Sequence, residues 1–123
     1  MNSYKKTILV IEDEPDIRDL LEFHLKKEGY KVLTSNDGEK GLKAARRENP
    51  NLIILDLLLP GIKGLDVCRV LKNDVNTSKI NIIMVTALGQ EVNIVKGLET
   101  GADDYVSKPF NMSILLARIS AVL

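Results

Sequence analysis

The sequence predicts an α/β protein: a doubly wound (βα)5 sandwich whose five-stranded parallel sheet runs in the order 2-1-3-4-5, with helices on both faces. Three observations predict it. Apolar runs of strand length alternate five times with stretches of helical apolar spacing, and such alternation produces parallel strands joined by right-handed crossovers. The first, third and fourth runs are the most continuously apolar, as strands covered on both faces are. They therefore belong at the centre, with the weaker second and fifth at the edges. Finally, the first and third runs stop on acids, Glu12-Asp13-Glu14 and Asp56. An open α/β sheet forms its sites beyond the carboxyl ends of its strands, where the strand order reverses. Here that reversal falls between strands one and three.

Each element has its own justification. Thr7-Ile8-Leu9-Val10-Ile11 is a strand rich in β-branched residues. Pro15 suits a first helical position, and Asp16 and Asp19 suit the positive end of the helix dipole. Ile17, Leu20, Leu21 and Leu25 then recur at helical spacing, and Gly29 reads as the stop. Tyr30 to Thr34 is a partly alternating strand. Asn36 with Glu39 reads as a capping box for a helix that turns Leu42, Ala44 and Ala45 inward and ends at Asn49-Pro50. Leu52-Ile53-Ile54-Leu55-Asp56 is the third strand. A loop through Gly64 leads to a helix from Leu65 to about Asn73, with Leu65, Cys68 and Leu71 on successive turns. Asn81 to Val85 is the fourth strand, closed by Thr86. A helix from Gln90 to about Thr100 sets Val92, Val95 and Leu98 at core spacing and stops at Gly101. Asp103 to Ser107 is a short fifth strand, followed by Lys108-Pro109. Asn111 caps a last helix with Leu115, Leu116, Ile119 and Val122 inward. That helix is still in register at Leu123, so residues 1–123 are expected to be a single domain forming the N-terminal part of something longer.

Composition excludes several classes. The 123 residues suffice for one domain with one core. Hydrophobic residues make up 45% and charged residues 28%, a globular balance rather than a disordered one. Lys plus Arg and Asp plus Glu each number 17, so no global charge points to nucleic acid or to a membrane surface. No apolar run approaches the roughly 18–20 residues that a bilayer requires, and the N-terminus lacks an apolar signal segment. A cytoplasmic protein without membrane contact is expected. The one cysteine, Cys68, lies among Leu65, Val67 and Leu71 and reads as a core thiol. His24 reads as a half-exposed packing residue. The basic group Lys40, Lys43, Arg46 and Arg47 has no interleaved aromatics and reads as a solvated helix face.

The strand ends carry the chemistry. Strand one delivers Glu12 and Asp13, strand three Asp56, strand four Thr86, and strand five Lys108. Three carboxylates gathered this closely repel one another by several kcal/mol when poorly screened. A hard divalent cation offsets that, and Mg2+ accepts carboxylate oxygens, water and a phosphate oxygen. No His or Cys cluster suits zinc. Acids with a metal, a hydroxyl and a lysine around one carboxylate are the parts of phosphoryl transfer. Asp56 attacks phosphorus in line, the metal and Lys108 neutralise the equatorial oxygens, and Thr86 bonds one of them. No side chain is placed to activate water as a base, so the acyl phosphate should persist. Persistence suits a signal rather than a turnover enzyme, and the chain is not expected to be an enzyme.

Four stretches carry a resemblance: Val10-Ile11-Glu12-Asp13-Glu14, Leu55-Asp56-Leu57-Leu58-Leu59-Pro60-Gly61, Val85-Thr86-Ala87, and Gly101 through Phe110. In this order and spacing they resemble the response-regulator receiver domain of two-component signalling, over essentially the whole chain. The run from Gly97 to Tyr105 is similar to receivers that carry a C-terminal winged-helix DNA-binding domain. The resemblance implies a chemotaxis-receiver-like fold and the phospho-acceptor role for Asp56. It implies Mg2+ held by Asp13, Asp56, the backbone carbonyl of Leu58 and, partly through water, Glu12. Thr86 matches the switch hydroxyl, Tyr105 the switch aromatic, and Lys108 the lysine that pairs with the phosphoryl group. The implied donor is a phosphohistidine on a sensor histidine kinase.

The same resemblance implies an output. Phosphorylation would alter the face formed by the fourth helix, fifth strand and fifth helix, and a homodimer would form there. DNA would be reached only through a missing output domain. Asp104 and Arg118 match a charged pair across such a dimer, with Lys96 and Glu99 also available. Ile94 and Ile114 stand where an Arg and a Glu are usual, so an apolar contact would substitute. Leu58 and Leu88, two past the acceptor and two past the hydroxyl, cannot orient water, which implies slow self-dephosphorylation. The alternative is a stand-alone receiver acting by protein–protein interaction without a DNA-binding domain. A phosphatase of the haloacid-dehalogenase type would want an acid where Leu58 stands. A flavodoxin-like module would want a Ser-, Thr- and Gly-rich loop where Glu12-Asp13-Glu14 stands.

Overall fold

Side chains alternate between the two faces of a strand, and here both faces are apolar, so two helical layers are needed to cover the sheet. The structure, a computed structural model, describes residues 5–87 and 91–123, excluding the side chains of residues 91–93. Its elements are β1 (Thr7–Ile11), α1 (Pro15–Lys27), β2 (Lys31–Ser35), α2 (Gly38–Glu48), β3 (Leu52–Asp56), α3 (Gly64–Asn73), β4 (Asn81–Ala87), α4 (Glu91–Thr100), β5 (Asp104–Lys108) and α5 (Met112–Val122). The sheet order is β2-β1-β3-β4-β5 and every pairing is parallel. The most apolar runs are the central strands, as the sequence predicts.

One core layer joins Leu9, Ile11, Ile53, Leu55, Ile82 and Met84 of the sheet to Leu42 and Ala45 of α2 and to Val67, Cys68 and Leu71 of α3. The other joins Ile8, Val10, Ile54, Ile83 and Val85 to Leu21 and Leu25 of α1 and to Leu115 and Ile119 of α5. Each such aliphatic side chain contributes about 1.5–3 kcal/mol by burial, which favours keeping the strands free of polar side chains. Among the described residues the buried polar ones are Glu12, Ser35, Asp56, Thr77 and Thr86. Four of them, Glu12, Ser35, Asp56 and Thr86, sit at the carboxyl ends of β1, β2, β3 and β4. The fold thus concentrates its buried polar groups at one end of the sheet.

Several local expectations are corrected. The second helix is not capped by Asn36 with Glu39. Asp37 is the cap, and its carboxylate accepts the Lys40 N–H at 2.8 Å. The second strand begins at Lys31 rather than Tyr30, because the Tyr30 N–H is used to close α1 on the Leu25 carbonyl at 3.1 Å. The fifth strand starts at Asp104, since Asp103 instead exchanges bonds with the start of β4. Its N–H donates to the Ile82 carbonyl, and its carboxylate accepts the Ile82 N–H, both at 2.8 Å.

Three residues assigned to the core by helical spacing are not in it. Leu20 of α1 is 48% exposed, and Val95 and Leu98 of α4 are 55% and 45% exposed. Among the described side-chain positions of α4 the buried residue is Gly97, seated so tightly that an added Cβ would overlap the thioether of Met84. The helix approaches Met84 of the sheet through a residue that has no side chain, and Val95 and Leu98 are turned outward. Val92, by its side chain, and Gln90 and Leu88 lie outside the described residues.

Candidate functional site

The site is built around the end of β3. Asp56 is 3% exposed, and the ladder continues past it because the Leu57 N–H donates to the Val85 carbonyl at 3.0 Å. The chain then turns through Leu58 and returns at Gly64, whose N–H donates to the Leu57 carbonyl at 3.2 Å. A Cβ on Gly64 would lie 2.5 Å from the Asp56 carbonyl oxygen and 2.6 Å from the Leu57 Cα. Only glycine permits this return, which sets the backbone behind the acceptor carboxylate.

Two donors hold the carboxylate. Oδ1 accepts the Leu58 N–H at 3.0 Å, and Oδ2 accepts Lys108 Nζ at 3.0 Å. Lys108 comes from the end of β5, before a cis peptide bond to Pro109. Its ammonium also reaches Glu12 Oε1 at 3.1 Å and Glu14 Oε1 at 3.3 Å. One cation thus serves three carboxylates from β1, the α1 approach and β3. Glu12 is fixed further. Its Oε2 accepts the Glu14 N–H at 3.1 Å, and its backbone N–H donates to the Ser35 carbonyl at 3.0 Å.

Electrostatics follows from this crowding. Burial, joined by the neighbouring Asp56, pushes the Glu12 carboxyl up to about 7, against the pull of the Glu14 N–H and Lys108. Burial alone would lower the Lys108 ammonium. Hydrogen bonds and charge attraction from Asp56 and Glu12 outweigh it and hold Lys108 well above the ordinary lysine range.

Glu12, Asp13 and Asp56 each offer one carboxylate oxygen, all within 4.8 Å of one another. A cluster of oxygen donors only, with two of the three residues buried, suits a hard divalent cation and not a soft one. The residues present therefore fit Mg2+. The Leu58 side chain is 67% exposed while its N–H is turned onto Asp56.

Thr86 and Tyr105 complete the predicted set. Thr86 is 2% exposed, and its Oγ1 has no hydrogen-bond partner among the described residues. A buried hydroxyl without a partner is costly, by about 1–3 kcal/mol, and is a donor in waiting. Asp56 pairs with Val85 across β3 and β4, so Thr86 stands one residue beyond the acceptor's partner on the adjacent strand. Tyr105 is half-buried, pairs with Met84, and packs against the core layer of α2 and α3.

The sequence singled out Glu12, Asp13, Asp56, Thr86 and Lys108, and the structure places all five at the carboxyl ends of neighbouring strands. Three contributors were missed. Glu14 shares Lys108; its acidity was visible, its reach across to β5 was not. Arg18 Nη1 donates to the Glu12 carbonyl at 2.9 Å and the Asp13 carbonyl at 3.4 Å, and so fixes the acidic turn. Its position one turn into α1 was the only available sign. Gly64 was read as loop, and its role needs the three-dimensional return of the chain. Asp104 and Arg118 pair within one chain, with Arg118 Nη1 at 3.1 Å from both Asp104 oxygens.

The response regulator receiver domain model matches residues 8–120. The chain belongs to the response-regulator receiver family. Among relatives of this receiver, the DNA-binding response regulator MtrA of Mycolicibacterium smegmatis is 45% identical over 100% of the chain and 53% of its own length. The chain thus spans about half the length of the curated relatives it matches. Among solved structures, the chemotaxis response regulator CheY4 of Vibrio cholerae superposes with a TM-score of 0.91 at 27% identity, covering 98% of this chain and 100% of that one. A receiver domain of a Pseudomonas aeruginosa sensor histidine kinase superposes with a TM-score of 0.87 at 28% identity, covering 96% and 97%. That structure has a magnesium ion coordinated in its active-site cleft. The receiver fold with its 2-1-3-4-5 sheet is therefore the architecture of this chain. None of its described helices is long and apolar enough to cross a membrane.

Proposed function

We propose that this receiver is a phosphorylation-activated switch in which Asp56 accepts a phosphoryl group from a sensor histidine kinase with Mg2+. One observation carries the reading: a buried carboxylate closing a central strand, held by a lysine from another strand end and bordered by two further acids. Nothing in the folding of the sheet requires that arrangement, and it opposes burial.

Asp56 Oδ2, now bonded to Lys108, is the nucleophile. It forms a bond to phosphorus in line as the phosphorus–nitrogen bond of the donor imidazole breaks, and the electron pair stays on that nitrogen, which takes up a proton. Lys108 turns from the carboxylates to a phosphoryl oxygen. The unpartnered Thr86 hydroxyl donates to another. Asp13, Asp56, the Leu58 carbonyl and, through water, Glu12 would hold Mg2+. The ion supplies charge neutralisation of the phosphoryl oxygens when bound. The acids beside Asp56, Glu12 and Asp13, are the ones that would hold the ion, which leaves them committed rather than free to activate water, so the chain would assist its own phosphorylation and slow dephosphorylation without turning over an outside substrate.

Readout would follow from Thr86. As its hydroxyl moves to the phosphoryl group it vacates space, and the half-buried Tyr105 turns further inward, altering the α4-β5-α5 face. Val95, Leu98 and Ile114 present exposed apolar surface there, which supports an apolar contribution to a homodimer. The relatives named as DNA-binding regulators support a transcriptional output through a further domain.

The test is incubation with phosphoramidate and Mg2+ followed by intact mass. A single phosphoryl adduct is expected in the natural chain and none in Asp56→Asn. An adduct that persists in Asp56→Asn would sink the proposal.

A further inference from the structure

Away from Asp56, a polar hollow of about 490 Å3 opens at the outer edge of the sheet, where the two helical layers meet over β2. Four cations line it, and no carboxylate does. Lys40, Lys43 and Arg47 come from α2, spaced three and four residues apart on one helix face. Arg18 comes from α1, on the other side of the sheet, and reaches over the end of β1. Thr34 and Asn36, at the carboxyl end of β2, add a hydroxyl and an amide.

Like charges one turn apart destabilise a helix; Glu39 stands one turn before Lys43 and offsets part of this, but among the described residues no ion pair joins Lys40 or Lys43 to a carboxylate. The Asp37 carboxylate is committed to the Lys40 N–H, and Glu48 engages only the Arg47 Nε, at 2.8 Å. Arg18 is held in place by the Glu12 carbonyl through one nitrogen, which leaves further N–H groups of its fixed fork for a ligand. The lining consists mainly of donors, so it suits an anion with many acceptor oxygens. Its size falls within the range of small-ligand sites. No aromatic ring lines it, so nothing stacks a base, and the recognised part is phosphate.

We propose that this hollow binds a multiply charged phosphate anion of the oligophosphate type, held by Arg18, Lys40, Lys43 and Arg47. Arg18 also holds the Glu12–Asp13 backbone, so an occupant here would brace the acidic turn from behind. The site shares Arg18 with the acidic turn but does not rest on the phosphoryl-transfer reading, and its binding measurement needs neither metal nor phospho-donor.

Amide and arginine side-chain NMR signals are followed while sodium tripolyphosphate is added in metal-free, low-salt buffer. Saturable shifts confined to residues 34–36, 40–47 and the Arg18 side chain are expected. Lys43→Glu with Arg47→Glu should weaken binding at least tenfold, and raising the salt should weaken it in the natural chain as screening demands. The double variant should keep the dispersed amide spectrum of the natural chain outside α2, which shows that it is folded. If reversal harms α2, Lys40→Gln with Lys43→Gln gives the same readout. Absence of saturable shifts, shifts elsewhere, or unchanged affinity in the variants would overturn the proposal. Equal affinity for oligoglutamate of matched charge would overturn the assignment to phosphate.

Discussion

Glu12 is an acid that folding makes harder to ionise, so metal-free stability should fall as pH rises. In the unfolded chain its carboxyl titrates near its ordinary 4.5, and in the folded chain near 7, chiefly through burial. Between those values the folded state binds the proton that the unfolded state has lost. The unfolding free energy therefore declines through this window. Each pKa unit is worth about 1.4 kcal/mol, so the gap amounts to about 3 kcal/mol. The side chain is 2% exposed, so little solvent screening reduces it. Lys108 stays charged throughout this range and adds no slope. In Glu12→Gln the titration is gone while the size of the side chain is kept. Urea unfolding in EDTA from pH 4.5 to 8 should show the variant gaining about 3 kcal/mol on the natural chain between the two ends. Mg2+ at pH 8 should restore stability to the natural chain and less to the variant. Parallel pH profiles for the two chains would refute the reasoning.

Three other outcomes are expected. Gly64→Ala forces a Cβ against the Asp56 and Leu57 backbone; it should cost about 1–3 kcal/mol, the range for overpacking, in urea midpoints, and slow adduct formation because the acceptor shifts. Cys68 is buried, and burial pushes its thiol up to about 11. At pH 8 about one thiol in a thousand is ionised, so iodoacetamide should label it only in urea, and ready labelling of the native chain would contradict that. Leu58→Asn places a polar side chain at an exposed position beside Asp56. It should hasten loss of the phosphoryl adduct followed by intact mass, and unchanged decay would count against the lifetime argument.

Much of this was legible in sequence because the two decisive signals are local. Continuous apolar runs of strand length, alternating with helical patterns, mark central strands, and an acid closing such a run sits at the strand's carboxyl end. Glu12, Asp13 and Asp56 thus announce themselves. What the sequence could not carry was direction. The spacing of Val95 and Leu98 is helical, but which side of α4 faces the sheet depends on how near it comes. Gly97 allows an approach that turns those two residues outward. Glu14 was likewise invisible as a contributor because it acts through a contact made across the sheet end, and Arg18 because its side chain folds back on the turn before its own helix. Asp104 and Arg118 were recognised as partners, but spacing alone does not tell whether a pair closes within one chain or between two.

That last pair has a thermodynamic consequence. Because Arg118 already grips both oxygens of Asp104, a second copy offering the same carboxylate presents an exchange and not a new bond. The free energy released is the small difference between two nearly equal contacts. Such a pair fixes the angle at which two copies meet and leaves the strength of meeting to whatever surface is newly dried, the exposed Val95, Leu98 and Ile114 among it. Adding salt would then weaken the closed and exchanged forms alike and leave their ratio nearly unchanged.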